Sequence, residues 1–393
     1  MSVSPPELDP FNRHVVEGYR AWEAIANGSI DCDLLEQWPQ DQTFADEAQV
    51  AEAFQALRDT APEGTPQVIK DKLSASANLI DAFAKAEEGE QTDFSKLIKS
   101  TLGYEPHLFD ESELEAEDAE LDELLREFGL GWDERFREAY AAATGIVYSD
   151  SSEGYFIDSF AKSHRLIAPI LGSSSPVVVP TFEADENGPW QAGTSTDDDG
   201  KLGIEVNTHP YQKWTEGIVA QTGANEEALA MHLDNIGRLI AAGELTPAHG
   251  ITTMHSPELV HLETLAIAAG LIRLSFEQDN PAYIFHKVYM PHALKVRANG
   301  GYMINNGYTV DDVEKYTRLH LPLDPTEDLI DSIEYRRDRP GHKVNQAGYP
   351  IALELATPIV EMPDKARQRR ILRALFNTSV GTDDVKRIIS ETA

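Results

Sequence analysis

Residues 253–271 read TMHSPELVHLETLAIAAGL, and this stretch decides the fold because it predicts one long, buried helix. Ser256 is a favourable N-cap and Pro257 a favourable first helical residue, so we expect the helix to begin at about Pro257, with His255 just outside it. Nearly every position from 259 to 274 is apolar. A helix that is apolar on all sides lies in the centre of a large protein, so the sequence predicts a helical body around this element.

Two polar residues, His261 and Glu263, interrupt this apolar run. A carboxylate in such a place must be paired, bound to a cation or protonated, so Glu263 is the residue that most needs a partner. Glu258 and His261 share one face of the helix because they are three residues apart, whereas Glu263 points to the opposite face. The pattern His255, Glu258, His261 therefore indicates either part of a metal site that a second helix completes or a capped helix with one satisfied core histidine.

The composition indicates an acidic globular protein. The 393 residues include 67 Asp and Glu against 33 Lys and Arg, which gives a formal net charge of -34. Such a surface repels nucleic-acid phosphates and anionic lipid headgroups, so the sequence argues against nucleic-acid and membrane partners. The simpler explanation of the charge is solubility in a salty cytoplasm, where surface carboxylates keep a protein solvated.

The cysteine count and the N-terminal sequence indicate the cellular compartment of the protein. Cys32 is the only cysteine, so neither an intramolecular disulfide nor a thiolate metal cage can form. The opening residues, MSVSPPELDPFNRH, lack the basic and apolar regions of a secretory signal. No run approaches the roughly 18 apolar residues of a transmembrane helix, and we therefore expect a cytoplasmic protein.

The pattern along the chain predicts one large, mainly helical domain with a small sheet inserted. Residues 1–10 are rich in proline and are predicted to be flexible. Helical periodicity dominates residues 11–175 and returns in residues 209–393. Between them, residues 176–208 contain three short β-prone runs separated by Glu-Asn-Gly and Asp-Asp-Gly, which predict a small antiparallel sheet.

Local signals predict several helix ends. Asn225 is predicted to cap a helix that starts at Glu226. Thr309 and Asp312 form an approximate capping box for a later helix. Residues 362–377, MPDKARQRRILRALFN, predict a basic amphipathic helix whose arginines either balance nearby acids or dock a partner.

Three segments carry a resemblance to a known family. SPELVHLETLA at 256–266 is similar to a tP-x-x-x-x-x-EGLA segment, and VRANGGYMINNGYTVDDVEKY at 296–316 is similar to an R-x-A-N-x-A-x-M-L-H-x-x-G helix. NQAGYPIALEL at 345–355 is similar to a closing Y-x-x-G segment. Together they resemble a bacterial and archaeal family of helical, zinc-metallopeptidase-like proteins of unknown function, over roughly residues 200–390.

The resemblance implies a large helical zincin-like domain with an altered metal site. In that family, zinc is expected to be bound by His-Glu-x-x-Pro-Gly-His-His and by the Glu of EGLA. Here Gln221 and Thr222 occupy the His-Glu positions, and residues 225–228 occupy the Pro-Gly-His-His positions. Glu263 is the one matched ligand that remains, and Asn345 replaces the closing tyrosine. The resemblance therefore implies the architecture of a zinc peptidase without its imidazoles and its general base.

A displaced metal site is the alternative. His232 lies one turn past the altered motif, and His209 follows the preceding predicted strand. Together with Glu263 and either His255 or His261, these residues would bind zinc and make the protein a metal-dependent hydrolase.

The sequence leaves three functions open. The first is a metallopeptidase-like pseudoenzyme that binds a small molecule or peptide in a central cleft. The second is a metal-dependent hydrolase with displaced zinc ligands, and the third is a scaffold or regulatory protein that acts through the basic helix at 362–377. The candidate cleft residues are Gln221, His261, Glu263, Arg297 and Asn345. The candidate zinc ligands are His232, His255, His261 and Glu263.

Overall fold

The structure is a computed structural model, and it describes most of the chain. The described residues are 9–26, 46–90, 92–127, 152–185, 191–196, 201–209, 214–251, 257–277, 279–321 and 339–392, with the single positions 44, 129, 333 and 337. Residues 1–8 of the predicted flexible start lie outside this part of the chain, as do Cys32, His255 and Ser256.

Helices form most of the described chain, with three short strands between them, so the predicted mainly helical fold class with a small sheet is confirmed. The helices before the strands are α1 (Pro10–Ala26), α2 (Glu47–Asp59), α3 (Gln67–Glu87), α4 (Phe94–Leu102), α5 (Glu111–Arg126) and α6 (Glu153–Leu171). The strands are β1 (Thr181–Glu183), β2 (Ala192–Thr196) and β3 (Leu202–Asn207). The helices after them are α7 (Glu216–Ala241), α8 (Pro247–Gly250), α9 (Glu258–Leu274), α10 (Pro281–Asn305), α11 (Val310–His320), α12 (Pro340–Val360), α13 (Lys365–Phe376) and α14 (Thr382–Glu391).

The small sheet is mixed, with the strand order β1-β3-β2. β2 pairs with β3 in the predicted antiparallel direction, with Ala192 opposite Val206. β1 instead pairs with β3 in parallel, with Thr181 opposite Glu205. The prediction of a wholly antiparallel sheet is therefore wrong for β1. A hairpin between β1 and β2 does not form, because β1 and β2 lie on opposite sides of β3 and are not neighbours.

The buried helix predicted from residues 253–271 is α9, which lies between α7 and α12. All of its residues are buried except Leu262 and Glu263, so its predicted central position is confirmed. Close contact between α7 and α9 requires a residue without a side chain at Gly270. A Cβ atom there would overlap the Asn225 side-chain amide and would lie 2.8 Å from Gln221 Cγ.

The start of α7 differs from the prediction. The helix begins at Glu216, and Thr215 is its N-cap, whose side chain accepts a backbone N–H three residues on at 3.2 Å. Asn225 therefore lies inside the helix, and its predicted role as an N-cap is wrong. Gly217 of α7 is a packing position, since a Cβ atom there would lie 2.7 Å from His286 Cβ.

The capping box predicted for α11 is confirmed. The Asp312 backbone N–H donates to Thr309 Oγ1 at 3.2 Å, and the Thr309 backbone N–H donates to Asp312 Oδ2 at 3.0 Å. Two reciprocal bonds satisfy groups that the first turn of a helix leaves open, so a local pattern was enough to predict this start.

Separate groups of aromatic side chains hold the outer parts of the fold. Tyr19, Trp22 and Phe54 pack together where α1 meets α2, and Phe156 and Trp214 join α6 to the sheet. Among the described helices, none is both long and apolar enough to cross a membrane.

Candidate functional site

The predicted site residues that the structure describes lie in three separate places. Gln221, Glu263 and Asn345 lie on α7, α9 and α12, where these helices meet; His232 and His261 lie beside the end of α13; Arg297 lines a groove between α10 and α12.

Glu263 belongs to a group of acids and hydroxyls that we name the carboxyl cluster: Thr194, Glu226, Glu263, Asn345 and Tyr349. The Tyr349 hydroxyl donates a hydrogen bond to the Glu263 carboxyl and also bonds the Asn345 side chain. The Thr194 hydroxyl donates to Glu226 Oε2 at 2.7 Å. The cluster therefore joins the sheet to the three central helices through polar side chains.

Both acids of the carboxyl cluster favour their neutral form. Burial raises the pKa of Glu263 to about 8, and the nearby Glu226 carboxyl raises it further, against the Tyr349 hydrogen bond. Burial also raises the pKa of Glu226 to about 7. The Glu263 charge in turn raises the pKa of Tyr349 well above its usual range. Glu263 was expected to be paired, bound to a cation or protonated, and its raised pKa supports the protonated state.

The altered metal motif on α7 is occupied by a chain of hydrogen-bonded side chains. Gln221 Oε1 accepts a hydrogen bond from His286 Nε2 at 2.9 Å. The Asn225 amide is oriented so that both its oxygen and its nitrogen have partners. The Asn225 oxygen accepts a hydrogen bond from Gln221 Nε2 at 2.8 Å, and the Asn225 nitrogen donates to the Ala266 carbonyl at 2.8 Å. These bonds tie α7 to both α9 and α10.

This set of residues does not fit zinc. Zinc in a hydrolase is bound by about three imidazole, thiolate or ionised carboxylate ligands. Gln221 and Asn225 offer amides that bond each other, and Glu263 favours its protonated form. The nearest imidazole, His286, donates its Nε2 proton to Gln221, and burial lowers its pKa to about 4. These side chains therefore do not form the ligand set of a catalytic zinc ion.

His232 and His261 form a second, uncharged group. Their rings contact edge to face, with centroids 5.1 Å apart. His232 Nδ1 bonds the Phe376 carbonyl at 3.1 Å, and His261 Nε2 bonds the Leu375 carbonyl at 2.9 Å. Burial lowers the pKa of His232 to about 3 and that of His261 to about 4. Both imidazoles are therefore neutral donors to carbonyls at the end of α13.

The proposed zinc ligands are divided between two sides of α9. His261 bonds α13, whereas Glu263 bonds Tyr349 on α12, as the helical period predicted. His209 follows β3, and its backbone N–H donates to Asn207 Oδ1 at 3.0 Å. His255 lies outside the described residues. The structure thus brings His232 and His261 together and places Glu263 elsewhere.

Arg297 lines a groove between α10 and α12, which we name the α10–α12 groove. Its aromatic walls include Phe94, Phe109 and Tyr302, and Lys343 lies on the α12 side. Gln221, His261, Glu263 and Asn345 are not part of this lining.

Polar groups meet at one end of the α10–α12 groove. The Tyr104 hydroxyl donates to Glu354 Oε2, and His107 Nε2 lies 3.1 Å from Glu354 Oε1. Burial and the Glu354 carboxylate raise the pKa of Tyr104, so its hydroxyl keeps its proton. Few polar groups among apolar walls are typical of a small-molecule site.

A further group of titratable residues, which we name the imidazole cluster, joins α5, α10 and α11. It consists of Glu111, Glu117, Asp118, His292 and His320. Asp118 lies between the two rings, with Oδ1 3.0 Å from His292 Nε2 and Oδ2 2.6 Å from His320 Nδ1. Sequence reasoning missed this group because its members lie on three helices and share no local motif.

The acids and rings of the imidazole cluster favour their charged forms. Although burial opposes the charge, the Asp118 and Glu117 carboxylates that face the ring raise the pKa of His292 to about 9. Asp118 and Glu111 raise the pKa of His320 in the same way. The two rings lower the pKa of Asp118, and His292 and Lys295 lower that of Glu117, again against burial. Glu117 and Asp118 are half-buried partners of these histidines, whereas most of the other acids of α5 are exposed.

The basic helix at 362–377 is α13, and two of its arginines bond other helix ends. Arg367 Nε donates to the Thr392 carbonyl at 2.8 Å, and Arg373 Nη2 donates to the Pro169 carbonyl at 3.0 Å. Cations at the C-terminal ends of helices satisfy open carbonyls and favour the helix dipole, so these arginines act within the fold.

Comparison with known proteins shows a shared fold. No protein-family model and no curated protein matches the chain. Its fold is similar to the crystal structure of "the putative lipoprotein from Colwellia psychrerythraea", with a TM-score of 0.54 and 12% sequence identity over 88% of this chain. The chain spans 66% of that protein's length. The resemblance to the metallopeptidase-like family stays a prediction.

Proposed function

We propose that this protein has a metallopeptidase-like helical fold without standard zinc-peptidase chemistry, and that it binds a small molecule or peptide in the α10–α12 groove. The observation that carries the proposal is the groove itself, whose aromatic and aliphatic walls also present polar and charged side chains. Sites for small molecules are typically concave and lined by apolar and aromatic side chains, with polar groups that orient the ligand.

The residues of the groove favour a ligand with an apolar body beside a carboxylate. Phe94, Phe109 and Tyr302 supply apolar and aromatic surface. Arg297 and Lys343 lie in the same lining and carry the charge that attracts an anion. A peptide C-terminus with an apolar last residue has this chemistry, and the local cations would receive it despite the net charge of -34.

The lack of zinc-peptidase chemistry is supported by the donor set on α7 and α9. The amides of Gln221 and Asn225 bond each other, and Glu263 is held by Tyr349. Without an imidazole pair and a general base, a zinc-bound water cannot be activated in the usual way.

A binding experiment with groove-filling variants tests the proposal. N-acetyl-phenylalanine and leucyl-leucine are titrated into the full chain by calorimetry, and we expect saturable binding of at least one probe. Gly301 lines the groove, and nothing lies within 4 Å of a Cβ atom built there. Gly301→Leu therefore fills the groove without a clash at Cβ, and we expect binding to weaken by at least about 10-fold, or 1.4 kcal/mol.

Gly237→Leu is the matched control. Gly237 also lies within a helix and also has open space around a Cβ atom, but it lies on α7 and outside the groove. We expect this variant to bind as the wild type does, and Arg297→Gln to weaken the acid probe more than its amide. Absence of binding by both probes, or equal binding by the Gly301→Leu and Gly237→Leu variants, would contradict the proposal.

A further inference from the structure

The imidazole cluster has both an inner and an outer set of contacts around its two rings, as metal sites do. In each ring, one nitrogen lies near Asp118 and the other nitrogen lies near a second carboxylate. His292 Nδ1 lies 3.0 Å from Glu117 Oε2, and His320 Nε2 lies 2.9 Å from Glu111 Oε1. Metal-bound histidines almost always have their outer nitrogen held by a carboxylate, a carbonyl or water, because this fixes the ring and raises its basicity.

We propose that Asp118, His292 and His320 bind one divalent transition-metal ion of the zinc class. Two imidazoles and one carboxylate form a three-ligand set found for zinc and for non-haem iron, with positions left for water. The donor atoms lie within 4.8 Å of one another. A tetrahedral ion about 2.1 Å from each donor separates the donors by about 3.4 Å. The Asp118–His292 and Asp118–His320 pairs, at 3.0 and 2.6 Å, must therefore open by less than about 1 Å, and the widest pair must close by no more than about 1.4 Å.

A buried oxygen without a hydrogen bond also points to a cation. Asp118 Oδ1 is shielded from solvent and has no hydrogen-bond partner among the described residues, although it lies 3.0 Å from His292 Nε2. That nitrogen is aligned instead on the His320 carbonyl at 3.1 Å. A buried carboxylate oxygen usually has a partner, and an ion between Asp118 and the two rings would supply one.

The position of the cluster suits an ion that is exchanged with solvent. The side chains of His292 and His320 are 0% and 1% exposed, whereas that of Asp118 is 19% exposed. Water can therefore reach one side of the site while the two rings stay fixed. An ion bound there would fasten α5 to α10 and α11, and the carboxylates of Glu111 and Glu117 would add to its attraction.

The competing explanation is a network of protonated rings and carboxylates that binds no metal. Both states use the same residues, so a direct measurement of metal binding must separate them. This site is distinct from the α10–α12 groove, so either proposal can fail without the other.

The test is a titration of the chelator-treated full chain with Zn²⁺ by calorimetry, and with Co²⁺ by visible absorption. We expect one equivalent per chain and a Co²⁺ spectrum of nitrogen and oxygen ligands at low coordination number. Asp118→Asn and His320→Gln should each weaken binding by more than about 100-fold, and Glu111→Gln, which removes only an outer contact, by about 10-fold.

His14→Gln is the matched control, because His14 Nδ1 lies 2.9 Å from Glu17 Oε2 and also forms an imidazole–carboxylate pair. We expect it to keep the full equivalent. If His320→Gln does not fold by circular dichroism, Asp118→Asn and Glu111→Gln decide, since both keep the size of the side chain. No bound equivalent in the wild type, or an equivalent unchanged in Asp118→Asn, would overturn the proposal.

Discussion

The carboxyl cluster and the imidazole cluster both place acids between packed helices, and the two give those acids opposite charge states. In the carboxyl cluster, Glu226 and Glu263 meet hydroxyls and each other, and their pKa values rise to about 7 and about 8. In the imidazole cluster, Glu117 and Asp118 meet ring nitrogens, and their pKa values fall.

Burial alone does not explain this difference, because it opposes the charged form in both places. The groups that face each acid decide whether it is ionised. A ring that can accept a proton keeps a nearby acid ionised, whereas a second acid adds repulsion and favours the neutral form. The two clusters should therefore differ in what the loss of a partner leaves behind, an ionised acid in the imidazole cluster and a neutral acid in the carboxyl cluster.

The largest effect is expected when the imidazole cluster loses a ring. His292→Leu removes the cation that faces both Glu117 and Asp118, so that these half-buried acids keep one cation each, Lys295 for Glu117 and His320 for Asp118. We expect the free energy of unfolding at pH 7 to fall by about 3 kcal/mol, because a partly buried charge that loses a close partner is strongly destabilising. Urea unfolding followed by circular dichroism measures this change.

His261→Leu is the comparison that shows whether charge is responsible. His261 is as fully buried as His292, but its imidazole is neutral and bonds the Leu375 carbonyl of α13. We expect its loss to destabilise the fold by about 1 to 2 kcal/mol. Equal losses in the two variants would show that the charge of His292 contributes nothing.

Local patterns in the sequence predicted much of the fold. The apolar run that became α9 and the capping box of Thr309 and Asp312 depend on neighbours within a few residues, and both predictions are confirmed. The parallel pairing of β1 joins it to a strand that does not follow it directly in the chain, and no local pattern records that. The start of α7 was misplaced because Asn225 before Glu226 matches a local N-cap signal, whereas the helix begins earlier, at Glu216.

The sites were harder to predict, because long-range contacts build them. The need of Glu263 for a partner followed from one carboxylate in an apolar helix, but its partner Tyr349 lies on α12. In the imidazole cluster, 202 residues separate Asp118 from His320. Only His292, inside a largely buried helix, offered a signal, since a buried histidine needs partners for both nitrogens.

The carboxyl cluster should make the protein less stable as the pH rises. The pKa of Glu263 is about 8 in the fold against an ordinary value of 4.5, so the folded state holds the proton more tightly than the unfolded chain. The resulting stabilisation is full below pH 4.5 and is lost as the pH rises through 8. We expect the wild type to lose about 2 kcal/mol relative to Glu263→Gln between pH 6 and pH 9.

Urea unfolding at several pH values measures this difference, and Glu361→Gln is the control. Glu361 is exposed at the end of α12, so its substitution should shift stability by the same small amount at every pH. A difference between the wild type and Glu263→Gln that stays constant from pH 6 to pH 9 would mean that Glu263 is ionised throughout, and the contrast between the two clusters would be lost.

The smallest effect is expected for Tyr349→Phe, which removes one hydroxyl from the carboxyl cluster. The Tyr349 hydrogen bond lowers the pKa of Glu263 against burial, so its loss should raise that pKa further and destabilise the fold by about 1 kcal/mol. Carbon-13 NMR of the glutamate carboxyls, with Glu263→Gln used for assignment, follows the pKa, and Tyr308→Phe at an exposed position should change neither quantity. A fall in the pKa of Glu263 would mean that the hydroxyl accepts a hydrogen bond from the protonated acid instead of donating one to its charged form. Hydrogen bonds as well as burial would then favour the neutral form of the two acids.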